Sequence, residues 1–142
     1  MTKKVALDSM CFIYHFEQTL PYFSHIETIF SQSQSGKSEI ITSIISVLET
    51  LSAPKYLTRP EVVGEINLFF LETGYITVFD INWEIAQEAA SLRREFKFLR
   101  APDSIQLATA TIYKAQMFVT NDKILANLKI PGLKINSLSN IL

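Results

Sequence analysis

Short runs of β-branched and apolar residues alternate along the chain with segments of helical periodicity, and this alternation limits the fold more than any other feature. The runs are Lys4-Val5-Ala6-Leu7, Glu39-Ile40-Ile41-Thr42, Tyr75-Ile76-Thr77-Val78-Phe79, Gln116-Met117-Phe118-Val119-Thr120 and Leu133 to Asn136. A strand followed by a helix and then another strand joins parallel neighbours by crossovers, so the strands are expected in one parallel sheet. Helices must then cover both faces, because a parallel sheet with continuous apolar strands is buried on both sides. The expected architecture is a three-layer α/β sandwich, with a central parallel sheet flanked by helices, as a single domain over residues 1–142.

The helices are marked by their ends. Ser9 is a candidate N-cap for a short apolar and aromatic helix, Cys11 to Glu17. Pro21 opens a second, in which Tyr22, Ile26, Ile29 and Phe30 recur at helical spacing; it ends in the polar run Ser31 to Lys37, with Gly36 as the stop. Ser43 caps Ile44 to Leu51, and Pro54 breaks that segment. Thr58 and Glu61 have capping-box spacing ahead of a helix carrying Val62, Ile66, Phe69 and Phe70 and ending near Gly74. Trp83 to about Phe98 is the longest helix, with Ile85, Ala89, Leu92 and Phe96 as its buried stripe. Pro102 lies in the first turn of a helix that runs through Ile105, Ala108 and Ile112, and a short helix from Lys123 to Leu128 precedes the turn Pro131-Gly132.

Bulk properties exclude several classes. Hydrophobic residues make up 48% of the 142 and charged residues 19%, which suits a globular core and not a disordered chain. The single cysteine, Cys11, cannot form an internal disulfide. No apolar run approaches the length of a membrane span, and Asp8 interrupts the first apolar run too early for a signal peptide. A soluble, cytoplasmic protein is expected. The formal net charge of −1 argues against a broadly basic nucleic-acid binder, although acids that hold a metal lower the formal charge while the ion attracts phosphate.

Four acids stand out by position. Asp8 and Asp122 each come at or just after the end of an apolar strand and precede a helix, so parallel strands bring them to the same sheet edge, where open α/β sheets place ligands. Glu49 lies in Ile44-Ile45-Ser46-Val47-Leu48-Glu49-Thr50-Leu51, with apolar residues on nearly every side. Asp103 sits in the first turn of a helix whose small residues Ala108, Thr109, Ala110 and Thr111 allow close approach to a neighbour. Each acid has an ordinary alternative: capping for Asp8 and Asp122, the helix dipole for Asp103, a snorkelling surface position for Glu49. Together they are more informative. Carboxylates gathered in a dry cleft raise one another's pKa unless a divalent cation compensates them, and oxygen-only ligands suit Mg²⁺ or Mn²⁺. An ion so held activates water and polarises a phosphodiester without a histidine or cysteine. His15 and His25 lack ligand spacing and read as structural.

In this order and spacing the motifs resemble the PIN-domain family, metal-dependent ribonucleases that include the VapC-type toxins of bacterial type II toxin–antitoxin pairs. Leu7-Asp8-Ser9 followed by Phe12-Ile13-Tyr14 is similar to the family's opening strand. Val47-Leu48-Glu49-Thr50-Leu51, Pro102-Asp103-Ser104-Ile105-Gln106-Leu107-Ala108-Thr109-Ala110 and Phe118-Val119-Thr120-Asn121-Asp122 resemble its second, third and fourth motifs. The resemblance implies Asp8, Glu49, Asp103 and Asp122 as catalytic, metal-binding acids, with Thr120 and Ser9 as supporting hydroxyls. Family members commonly carry Asn where this chain has Met10. A thioether lacks an amide's donors and acceptors, so support for Asp8 is expected from elsewhere, with Asn121 the candidate.

Arg93, Lys97 and Arg100 are spaced i, i+4 and i+7 before Asp103, and Lys123 follows Asp122. These are the candidates for RNA phosphate contacts, against the ordinary alternative of a solvated face. The aromatic helices Tyr22 to Phe30 and Val62 to Phe70 carry enough apolar surface that the resemblance implies a homodimer interface and a groove for a small antitoxin. Two other readings compete with a toxin ribonuclease. One is a PIN-like RNA- or partner-binding module that has lost turnover, favoured by Met10. The other is a receiver-like signalling domain, for which only Asp80 is placed as a phosphoacceptor and Asp8 lacks the required acidic neighbour.

Overall fold

The structure, a computed structural model, describes residues 2–141. Five strands, β1 (Lys3–Leu7), β2 (Ser38–Ser43), β3 (Ile76–Phe79), β4 (Met117–Thr120) and β5 (Lys134–Ser137), form one sheet in the order β3-β2-β1-β4-β5. Every pairing is parallel. The sandwich expected from the alternation is therefore the fold observed, and all five strands fall where the apolar runs placed them. The order differs from the receiver arrangement, 2-1-3-4-5, and Asp80 is an exposed residue beyond edge strand β3. The receiver-like reading is thereby set aside.

Alternate side chains of the strands point to opposite faces, which divides the core in two. Ala6, Ile41 and Phe118 face one layer, built on α5 (Trp83–Glu95) and α6 (Ala101–Ile112), where Ile85, Ala89, Leu92 and Leu107 bury against them. Val5, Leu7, Ile40, Ile76 and Val119 face the other, built on α1 (Ser9–Glu17), α2 (Phe23–Gln34) and α4 (Pro60–Glu72). Here Phe12, Phe16, Phe30, Phe69 and Phe70 interlock with ring centroids 5.0–6.4 Å apart. His15 packs among these rings with Nδ1 2.6 Å from Glu27 Oε1, a structural role as expected. Much of the aromatic surface of these helices is thus taken up in the core, where three helices from different parts of the chain converge on one ring cluster, while Tyr22, Phe23 and Phe69 stay partly exposed. The helix α3 (Ile44–Leu51) leaves the carboxyl end of β2 directly, and α7 (Lys123–Ala126) and α8 (Leu138–Ile141) are single turns after β4 and β5.

Helix ends account for most departures from the sequence expectations. Asp8, not Ser9, caps α1: its carboxylate accepts from the Ser9 N–H, and Ser9 is the first helical residue. α2 begins at Phe23, after Pro21 and Tyr22 have formed the turn in which Thr19 O accepts from Phe23 N, and it continues through the polar Ser31–Gln34. Gly36 then turns the chain at φ +86°, a conformation that costs glycine little. The Thr58–Glu61 capping box does not form. Pro60 takes the first helical position, making Arg59 the cap residue, while Thr58 closes a 3₁₀ turn, Pro54–Thr58. α5 stops at Glu95 rather than Phe98, because the chain turns back to bury Leu99 and leaves Phe98 exposed. α8 was not anticipated.

Candidate active site

Asp8 stands at the carboxyl end of β1, beside β4. This is the point where strand order reverses: the chain builds from β1 outward through β2 to β3, then returns to place β4 on the other side of β1. Crevices at such points receive ligands in open α/β sheets. Both oxygens of Asp8 are engaged. Oδ1 accepts from the Ser9 N–H at 2.6 Å, and Oδ2 accepts from Thr120 Oγ1 at 2.7 Å across the crevice. Thr120 is fully buried at the end of β4 and its hydroxyl also accepts from the Asp122 N–H at 3.1 Å. Burial pushes the Asp8 carboxyl up to about 6; the bonds from Thr120 and Ser9 oppose this, and the Glu49 and Asp103 carboxylates add to it.

Ser9 links Asp8 to the second acid. Its N–H bonds Asp8 while its hydroxyl, buried in the first turn of α1, donates to Glu49 Oε1 at 2.6 Å. Glu49 is half-buried on α3 and directed to the site, not outward. Behind the pair lies a group that the sequence reading passed over: Thr42 on β2, Ser46 on α3 and Gln106 on α6, all buried and joined by hydrogen bonds to one another or to Ser9. The available signal was a single polar residue on the core-facing side of an apolar helix, Ser46 among Ile45 and Val47 and Gln106 among Ile105 and Leu107. Such a position requires a buried partner.

The other two acids are placed differently. Asp103, half-buried in the first turn of α6, is close enough to raise Asp8, and its Oδ2 accepts from Arg100 N and Arg100 Nε, each at 3.3 Å. Asp122 caps α7, its Oδ1 accepting from Ile124 N at 2.8 Å and Leu125 N at 3.2 Å. Among the described residues no three His, Cys, Asp or Glu side chains lie close enough together to enclose one ion. Two further expectations are corrected. Asn121 does not support Asp8: its amide donates to Tyr14 Oη at 2.9 Å, and its carbonyl accepts from Ser139, away from the crevice. Arg93, Lys97 and Arg100 do not share a helix face, because α5 ends before the last two. Arg93 Nε instead donates to Leu99 O and fastens the loop that leads to Asp103. Lys97, Arg100 and Lys123 are exposed.

The donor chemistry fits a hard divalent cation. The acids at the crevice offer only oxygen as ligands, and Asp8 is a desolvated carboxylate with like charges beside it, the situation that Mg²⁺ or Mn²⁺ relieves. Comparison with known proteins agrees with this architecture. The sequence profile of the PIN domain matches residues 5–131, nearly the whole chain. The chain belongs to the PIN-domain family. Its fold is similar to that of a chain of a toxin–antitoxin complex from Klebsiella pneumoniae, with 23% identity, a TM-score of 0.64 and coverage of 91% of this chain and 94% of that one. It is also similar to a chain of VapBC2 from Rickettsia felis bound to a promoter DNA fragment (17% identity, TM-score 0.70, 94% and 98% covered). DNA-bound VapBC from Salmonella typhimurium is a third (18% identity, TM-score 0.63, 97% and 99% covered). No curated protein sequence matches the chain.

Proposed function

We propose that this protein is a metal-dependent endoribonuclease using Mg²⁺ or Mn²⁺, acting in the cytoplasm as the toxin of a type II toxin–antitoxin pair. The observation that carries the proposal is Asp8: a carboxylate held by Thr120 and Ser9 at the reversal point of the sheet, its pKa raised to about 6 by burial, with Glu49 and Asp103 adding to the rise. Asp8, Glu49 and Asp103 would hold the ion once their side chains draw together, since as they stand no three acids among the described residues enclose one. Asp122 would join them through Oδ2, since the Asp122 contacts to the α7 N–H groups use Oδ1. When bound, the ion supplies a more acidic water and charge neutralisation at the phosphodiester. The chain's own part is to fix Asp8 between two donors that oppose the effect of its burial, and to hold Glu49 through the Ser9 hydroxyl. Lys97, Arg100 and Lys123, all exposed, would contact RNA phosphates, with Arg93 shaping the loop that leads to Asp103.

The structural neighbours named as toxin–antitoxin complexes support an antitoxin partner. With much of the aromatic surface taken up in the core, an exposed apolar face that would serve a homodimer or antitoxin is the aliphatic one of Ile44 and Leu48 on α3 with Leu68 and Leu71 on α4.

Purified protein is expected to cleave single-stranded RNA with added Mn²⁺, to stop with EDTA, and to lose cleavage in Asp8→Asn and Asp103→Asn. Cleavage that persists in EDTA, or full activity in both variants, would overturn the proposal. A binding module without turnover is the second reading, favoured by Met10 and by Asn121 turning to Tyr14. RNA binding with no metal-dependent cleavage would select it.

A further inference from the structure

The buried polar group behind the acids has one self-consistent arrangement of protons, and it can be worked out donor by donor. Thr42 Oγ1 lies 2.8 Å from the Leu7 carbonyl, which only accepts, so the single Thr42 proton goes there. The 2.6 Å contact between Thr42 and Ser46 hydroxyls must then be donated by Ser46. Likewise the Ser9 proton goes to the Glu49 carboxylate at 2.6 Å, leaving none for the 3.4 Å contact between Ser9 and Ser46. Both serine oxygens are therefore left as acceptors. Gln106 Nε2 meets them, 3.0 Å from Ser9 Oγ and 2.8 Å from Ser46 Oγ, so each proton of the amide has a partner. The flipped amide would set its oxygen against two hydroxyls with no proton to give.

Gln106 is 3% exposed and lies one turn after Asp103 on the same helix. It stands at the head of two chains of hydrogen bonds. One runs through Ser9 to the Glu49 carboxylate; the other runs through Ser46 and Thr42 to the carbonyl of Leu7, the residue before Asp8. We propose that Gln106 is a positioning residue, whose doubly donating amide orients Glu49 and the Asp8 backbone toward each other for a divalent cation. Its relation to metal rests on the ribonuclease reading above; its relation to Ser9 and Glu49 does not. Without the amide, the Ser9 hydroxyl is free to turn its proton to Ser46, and Glu49 is released.

The test uses the near-isosteric Gln106→Met, checked for folding by circular dichroism and thermal melting. Its Mn²⁺ affinity by calorimetry is expected to fall about ten- to a hundredfold, the usual effect of removing a partner that orients a ligand, with kcat reduced and KM for a mixed-sequence RNA unchanged. Because one of the two chains from Gln106 runs through Ser9, the loss of Mn²⁺ affinity in the double variant Ser9→Ala/Gln106→Met should be smaller than the sum of the two single losses. Wild-type affinity in Gln106→Met, or additive losses in the double variant, overturns the role while leaving the nuclease reading intact. If wild-type protein neither binds Mn²⁺ nor cleaves RNA, or if Gln106→Met fails to fold, NMR of the metal-free wild type decides. Both Gln106 side-chain amide protons should exchange slowly with solvent, and fast exchange of either overturns the assignment.

Discussion

Asp8 is the residue where local chemistry and the proposed function meet, and its protonation gives a signed prediction. Its carboxyl titrates near 6 in the folded protein against an ordinary value of 3.8, so between those values the folded state binds more protons than the unfolded state. Folding stability contributed by this group is therefore complete below about pH 4 and is lost as pH rises through about 6, a difference on the order of 3 kcal/mol. Metal-free Asp8→Asn should accordingly be more stable than wild type at pH 8 and equal to it at pH 4, as measured by urea denaturation at both values. Equal stability at pH 8 would show that the buried charge carries no cost. Bound Mn²⁺ favours the ionised form, so affinity should fall as pH drops below 6, measurable by calorimetry. At this scale the sequence was informative about which residues are candidates and silent about their bonds. Asp8 and Glu49 were legible as candidates from a strand end and an acid on an apolar helix, whereas Ser9 and Thr120 came only with the family resemblance. Asn121 was not, because adjacent residues at the end of a strand point in opposite directions and only the packing of Tyr14 shows where its amide goes.

Elements decide how a carboxylate is shared between structure and chemistry. Asp122 caps α7 through Oδ1 and is also a proposed ligand, and two substitutions separate these uses. Asp122→Asn keeps a capping oxygen and should retain wild-type stability, whereas Asp122→Ala should lose about 1 kcal/mol, as a lost cap does. Thermal melting measures both, and both should weaken Mn²⁺ binding to the same degree if Asp122 is a ligand. A loss of affinity confined to the alanine variant would make it a cap alone. Strand positions were read correctly because each is a short β-branched run whose identity depends on its own residues. Helix ends were read less well. α5 ends early because burying Leu99 outweighs continuing the helix to Phe98, and α4 starts at Pro60 because proline suits a first helical position. Those outcomes are competitions between neighbours, and sequence periodicity reports only one competitor. The displacement of Lys97 and Arg100 from the helix face follows from the first of them.

For the whole molecule, topology brings residues distant in sequence to one crevice: Asp8 and Thr120 meet because β4 returns to the free side of β1. The same packing determines what is left outside. The rings of α1, α2 and α4 close on each other, and the exposed apolar residues include Leu48 and Leu71, 62% and 80% exposed on α3 and α4. If that face is the interface, Leu48→Lys/Leu71→Lys should fold normally and run as a monomer in light scattering where wild type is a dimer. A dimer that survives both changes would place the interface elsewhere.

By itself the sequence determined the class of fold, since the alternation of strand and helix leaves a parallel sheet few alternatives, and it determined which carboxylates lie at strand ends or in a first helical turn. Tertiary structure alone decided how those carboxylates are held. Hydrogen bonds from Thr120 to Asp8, from Ser9 to Glu49 and from Gln106 to Ser9 span 112, 40 and 97 positions of chain. No local pattern encodes such pairings: a buried polar side chain must find a partner, but which partner it finds depends on where the sheet brings the rest of the chain.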